Sequence, residues 1–481
     1  MPFRRRVSQL FVALLVLLAP ASGVASEVQF EPCRLTSATA SASVPARCTT
    51  LAVPLDYAES EAGQISLHVA VIGARSARAT AAPVVLISGG PGQSASESLV
   101  ELRHVFQALS ERRDIVVVDQ RGTGASSPLH CAHELVEDPF ALRADTTLAM
   151  QRMGRCREQL AHDPRHFDSD AAVADLERVR QALGYARWNL YGFSYGSRVA
   201  QLYAARFPDH TRSVVMDAVL PLGVALGATV DESANQVIAA ELARCSEKAA
   251  CDNAFPELAA RYRALLEALE ASPREVEFEH PRTGELRSLP VAAGGLRRML
   301  RLLAYQPETR VMIPALVHRA SEGQLAPLVA LAHDFEFSLD QRINWLAHLS
   351  VLCREDLPRI PEAVVSGSRE LAHLAEACEV WDVPARAAFD VSLPESVPML
   401  MLSGEYDPVT PPGPVIALAE RADKWRAVTA PGQGHIVSIR GCLPERVRAF
   451  FDAGAAGDLD MACVEQLSAP PPMLNLNAPA S

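Results

Sequence analysis

Lysine is nearly missing from this chain. Only Lys248 and Lys424 stand among 45 basic residues, so the remaining 43 are arginines, scattered along the whole length. Against 57 acidic residues they leave a net charge of −12, which argues against a nucleic-acid partner. The arginine excess reads as genomic compositional bias, not as a phosphate-binding surface. No pair of cysteines has the CxxC spacing, which makes zinc a poor reading of them. Internal repeats are absent, and beyond the N-terminal region no segment reads as transmembrane. A hydrophobic content of 49% and a mean hydropathy of +0.07 argue against long disorder.

What is present begins with size. A chain of 481 residues exceeds the range over which one hydrophobic core grows, so a large domain with an insertion, or two domains, is expected. Arg4, Arg5 and Arg6 precede an apolar run from Leu10 to Ala19 and small residues from Ala21 to Ser26. This is the layout of a secretory signal peptide over 1–25, cleaved after Ala25 or Ser26. An uncleaved anchor is the rival reading, though the apolar run is short for a bilayer span. Cleavage predicts an exported protein, periplasmic or secreted, with no stable membrane insertion. Ten cysteines, an even number in such a protein, predict disulfides. Local pairing gives Cys33–Cys48, Cys131–Cys156, Cys245–Cys251, Cys353–Cys378 and Cys442–Cys463, a connectivity that spacing alone does not prove.

Residues 49–55 and 65–72 alternate apolar and polar side chains, as an antiparallel hairpin or edge strands do. Short β-rich runs follow at 83–87, 114–118, 188–191 and 213–216, most of them trailed by a helical stretch. Such alternation predicts an α/β fold with a mostly parallel central sheet and helices on both faces. It stops near Leu220. From 221 to 395 the chain is rich in Ala, Leu and Arg and helical in period, with a polar interruption around His280 to Leu289. Strands and helices resume at 397–402, 425–429 and 443–451. The predicted division is therefore a core over 26–220, a helical cap insertion over 221–395, and the rest of the core over 396–467. The proline-rich segment 468–481 reads as a disordered tail.

Gly192-Phe-Ser194-Tyr-Gly196 sits between an apolar strand and a helix start. A serine on so sharp a turn has its hydroxyl pushed out of the sheet, which makes Ser194 the candidate nucleophile. Serine needs a base to take its proton, and the base needs a carboxylate to fix its tautomer. In hydrolases of this architecture the acid and then the histidine follow the serine in the chain. The loop Glu405-Tyr-Asp407-Pro follows an apolar strand and supplies the acid, Asp407, with Glu405 as a weaker rival. Past Asp407 a single histidine remains, His435. Asp407 before proline is also a common turn, and an isolated histidine is more often loop or core than base; the combined order outweighs both readings. The run Gly89-Gly90-Pro91-Gly92 closes the first core strand, and the N–H groups of Gly90 and Tyr195 are the expected oxyanion donors. Asp119-Gln-Arg-Gly122-Thr-Gly124 lacks phosphate-loop spacing and reads as support for the site.

With these motifs in place, the chain resembles the prolyl and tripeptidyl aminopeptidases of peptidase family S33, within the α/β-hydrolases. Gly89-Gly-Pro-Gly92, Asp119-Gln-Arg-Gly122, Gly192-Phe-Ser-Tyr-Gly196, Asp407-Pro and Gly434-His435 carry the resemblance over nearly all the mature chain. Residues 378–463 resemble the C-terminal region of the tripeptidyl aminopeptidases. Ser88 departs from the histidine that many relatives place before Gly-Gly-Pro-Gly. The resemblance implies an α/β-hydrolase fold, a Ser194, Asp407 and His435 triad, and release of residues from the N-termini of small peptides. The alternatives are a hydrolase of small acyl esters and an inactive binding protein. No metal or organic cofactor is implied, and the oligomeric state is open. Glu355 and Asp356, in Cys353-Arg-Glu-Asp, resemble an acidic motif expected to read the substrate's amine; a solvated or helix-capping acidic pair is the competing reading.

Overall fold

The computed structural model describes residues 28–76, 81–131, 146–386, 388–457, 459–475 and 478–479. The expected signal peptide lies outside these residues. Nine strands form the central sheet: β1 (Glu31–Thr36), β2 (Ser43–Pro54), β3 (Gln64–Ile72), β4 (Val84–Ile87), β5 (Ile115–Val118), β6 (Trp188–Phe193), β7 (Thr211–Asp217), β10 (Met399–Gly404) and β11 (Trp425–Ala430). Their order is β1-β2-β3-β5-β4-β6-β7-β10-β11. The first three pair antiparallel, as does β3 with β5, and every pairing from β5 onward is parallel. The runs VVLI of β4, IVVV of β5 and MLMLSG of β10 are buried at every position. Strands covered on both faces need apolar side chains on both. Accordingly Val85 and Ile87 join one apolar cluster while Val84 and Leu86 join another on the opposite face.

Between β7 and β10 the chain leaves the sheet and builds a mainly helical cap with its own apolar cluster around Ile238, Leu300 and Leu316. The polar interruption predicted near His280 is the turn of an antiparallel hairpin, β8 (Arg274–Glu279) with β9 (Leu286–Val291). The five cystines join Cys33–Cys48, Cys131–Cys156, Cys245–Cys251, Cys353–Cys378 and Cys442–Cys463. Among the described residues no helix is long and apolar enough to cross a membrane.

One expectation is corrected. The segment read as a disordered tail, 468–481, is held against the cap and the histidine loop through residue 475. Ser468 and Pro470 carbonyls accept from Gln433 and Arg244, the Met473 N–H donates to the Val311 carbonyl, and Met473–Asn475 forms β12. Carbonyl oxygens of a proline-rich segment remain acceptors, and the side chains of Gln433 and Arg244 donate to them, while the Met473 N–H finds its acceptor on the cap backbone.

Candidate active site

The carboxyl ends of five neighbouring parallel strands, β4, β6, β7, β10 and β11, converge at the edge where ligands bind in open α/β sheets. β6 ends at Phe193, and Ser194 turns directly into the helix Tyr195–Arg206 with φ 51° and ψ −128°. A non-glycine residue there is strained and is held by its surroundings. The Ser194 N–H donates to the Asp217 carbonyl at 2.8 Å. A β-carbon at Gly192 would strike the Gly196 carbonyl, and one at Gly196 would strike the Ile87 carbonyl. Both glycines are thus required by close approach of backbone to backbone.

Asp407 follows β10 and His435 follows β11. The imidazole Nδ1 lies 2.8 Å from Asp407 Oδ2. Asp407 Oδ1 accepts the N–H groups of Val409 and Thr410, and the Thr410 hydroxyl donates to Oδ2. The turn and acid readings of Asp407 therefore both hold: one oxygen organises the turn and the other orients the imidazole. Burial disfavours both charges. His435 nevertheless holds the Asp407 carboxyl below the usual carboxylate range, and Asp407 holds the imidazole above the ordinary histidine value. With Nδ1–H committed to a carboxylate, Nε2 is the nitrogen available as a base. The rival acid Glu405 accepts the Gly432 N–H at 2.7 Å.

After β4, Gly90 adopts φ 102°, open to glycine and strained for other residues, and Pro91 follows through a cis bond. A β-carbon at Gly89 would lie 2.9 Å from that of Ser194, so this loop runs right beside the serine. Ser88, the departure from the family pattern, is fully buried; its hydroxyl donates to the Gln93 carbonyl, and its own carbonyl accepts from Gln120. Asp119 of the same motif accepts the Ser94 hydroxyl and the Ser96 N–H, bracing the next helix.

Gly90, Ser194 and His435 line one cavity of about 650 Å³ under the cap, which adds Tyr305, Trp345 and His348. The Tyr305 ring meets His435 edge-on at 5.3 Å, and its carbonyl accepts the His435 N–H. A second cavity of about 590 Å³, beside β2 and β3, contains none of these groups.

Glu355 and Asp356 are placed elsewhere, which corrects the amine-reading expectation. Both are fully buried on a π-helical turn, Leu352–Asp356, and neither lines the cavity. Arg198, on the helix after Ser194, takes Asp356 with two hydrogen bonds of 2.9 and 2.7 Å. Glu355 accepts the Ser169 N–H and hydroxyl, and Ser169 Oγ contacts the Tyr195 hydroxyl at 2.8 Å. A planar guanidinium matched to a carboxylate on the cap leaves no face for a substrate. The acidic pair ties the cap to the helix that carries the nucleophile. Among the described residues, the carboxylates that line the cavity are Asp231 and Glu370, both paired with Arg301.

Asp217 escaped the sequence reading. It ends β7 fully buried, and its oxygens accept the N–H groups of Val437 and Ser438 at 2.9 and 2.8 Å. The Tyr191 hydroxyl also donates to it, and burial pushes its carboxyl up. Between it and His435 sits Ile436 at φ 63°, a conformation a β-branched residue avoids. The only local signal was an acidic residue ending an apolar strand.

The model described as alpha/beta hydrolase fold matches residues 82–275, and that described as TAP-like protein matches 364–463. The chain belongs to the α/β-hydrolase superfamily. It is a serine hydrolase. This hydrolase is 26% identical over 483 residues to serine protease Hip1 of Mycobacterium tuberculosis strain H37Rv, covering 91% of each chain. It is 31% identical over 191 residues to tripeptidyl aminopeptidase of Streptomyces lividans, covering 37% of this chain and 36% of that one. It is 25% identical over 497 residues to carboxylesterase B of M. tuberculosis strain CDC 1551, covering 92% and 90%. These identities go with a hydrolase acting on small acyl or peptide substrates.

Proposed function

We propose that this hydrolase is an exported aminopeptidase that releases residues from peptide N-termini through an acyl-enzyme. Ser194 attacks the scissile carbonyl, and His435 Nε2 takes its proton and returns it to the leaving amine. Asp407 fixes the imidazole and stabilises its cationic form. The Gly90 and Tyr195 N–H groups receive the developing oxyanion. The observation that carries the reading is the 2.8 Å Asp407–His435 pair opening into the same cavity as a strained serine. Relatives named as a serine protease and a tripeptidyl aminopeptidase support a peptide substrate, and the cavity volume suits a short one. Five cystines support export. The division into core 26–220, cap 221–395 and core 396–467 belongs to the same proposal.

An esterase using the same machinery is the second reading, favoured by the apolar cavity wall of Leu302, Leu339, Leu346 and Leu349 and by the relative named carboxylesterase B. A panel of aminoacyl, prolyl and tripeptidyl anilides against short acyl esters separates the two. The proposal expects amide cleavage requiring a free N-terminus and abolished by Ser194→Ala. Turnover of esters alone would move the assignment to the second reading.

A further inference from the structure

His348 stands in the first turns of the cap helix Trp345–Val351, directly over the loop that carries Gly90. That loop is clamped to the cap at three consecutive residues. The Pro91 carbonyl meets His348 Nδ1 at 2.9 Å, the Gly92 carbonyl accepts the Asn344 N–H at 2.9 Å, and Gln93 forms a β-bridge with Ile343. A carbonyl oxygen only accepts, so Nδ1 must carry the proton, and in a neutral ring Nε2 is then a bare lone pair. Burial pushes this imidazole below the ordinary histidine value, which keeps it neutral. Among the described residues none takes Nε2, and His348 lines the same cavity as Ser194 and Gly90.

From this geometry we infer that His348 is a specificity-determining residue: Nδ1–H holds the Gly90–Gln93 loop, and Nε2 accepts a hydrogen bond from an amine next to the scissile carbonyl. The inference rests on the reading of Ser194 as nucleophile and of Gly90 as oxyanion donor. It does not require that the bond cleaved be an amide. A neutral acceptor selects a donor. Acyl groups bearing an ammonium or N–H are favoured over those with only carbon at that position, because burying the imidazole lone pair against a methylene leaves it unpaired.

The test uses full mature protein and two substrates that differ by the amine alone, the methyl esters of 2-aminobutyric acid and of butyric acid. Because both are esters, peptidase and esterase readings alike allow turnover. The wild type is expected to prefer the aminoacyl ester. His348→Asn keeps a donor near Nδ1 and removes the Nε2 acceptor; it should lower the aminoacyl-to-acyl ratio of kcat/KM by about tenfold or more, while a fluorophosphonate still labels Ser194. His348→Gln reverses the loss, placing a polar group near Nε2 and dropping the Nδ1 donor. It should retain the ratio and slow both esters together. A wild type without amine preference, or a ratio unchanged in His348→Asn, overturns the inference. If His348→Asn folds too poorly to label, His348→Gln decides: a retained ratio supports the assignment and a collapsed one overturns it. Absence of labelling in the wild type would instead remove the hydrolase mechanism itself.

Discussion

Replacing Asp217 by asparagine isolates the anchoring of the catalytic histidine from its chemistry. The Asp217 carboxylate receives two backbone N–H groups, from Val437 and Ser438, one on each oxygen. Asparagine presents one oxygen and one NH2, so one of the two buried N–H groups then faces another donor. Leaving a buried donor unpaired costs about 1–3 kcal/mol. The strained Ile436, immediately after His435, loses the interaction that opposes its relaxation. Relaxation moves the imidazole, and a displacement of about 1 Å at a reacting group costs on the order of a hundredfold in rate. Asp217→Asn should therefore lower urea stability modestly and kcat strongly, with KM nearly unchanged, because no substrate contact is removed. Steady-state kinetics beside urea unfolding measures both. A kcat within threefold of wild type, with the stability loss present, would refute the anchoring role; about a hundredfold loss is the expectation.

Three further outcomes follow from the same geometry. His435 must be neutral to accept the serine proton, so kcat/KM should rise with pH, with a midpoint above about 6.5, the ordinary histidine value. Asp407→Asn should lower that midpoint together with the rate, and an unmoved midpoint would contradict the pairing. Burial pushes the Glu355 carboxyl up to about 7. Because the folded value is raised, its contribution to stability is present below the unfolded value, about 4.3, and is lost as pH rises through 7. Glu355→Gln should thus compare more favourably with wild type near pH 8 than near pH 5 in urea midpoints; equal shifts at both would show the carboxyl is unperturbed. Gly196→Ala places a β-carbon against the carbonyls of Ile87 and Ser88. It should yield unfolded or inactive protein, and a soluble variant of full activity would disprove the close approach.

The parallel strands and the order serine, acid, histidine were legible because each is written locally: an all-apolar run, a turn sequence, a glycine pair. Cross-chain partnerships were not. Arg198 and Asp356 are 158 positions apart, and an acidic pair on a helical stretch looks the same whether it meets substrate or a buried guanidinium. Asp217 and Val437 are separated by 220 positions, and His348 from Pro91 by 257. The β8–β9 hairpin was missed although β8 alternates, because it is short and set within a long helical stretch. The tail was misread because Gln433, Arg244 and Val311, which hold it, lie on the histidine loop and the cap, far from it in the chain.

The relay itself is tested most directly by reaction with a fluorophosphonate followed by peptide mapping, comparing wild type with a folded His435→Ala variant. One adduct on Ser194, forming at least a thousandfold more slowly without the imidazole, is the expected result, on the scale of loss of a triad base (about 10³ or more). An adduct on another serine, or an undiminished rate in the variant, would show that these side chains do not act together.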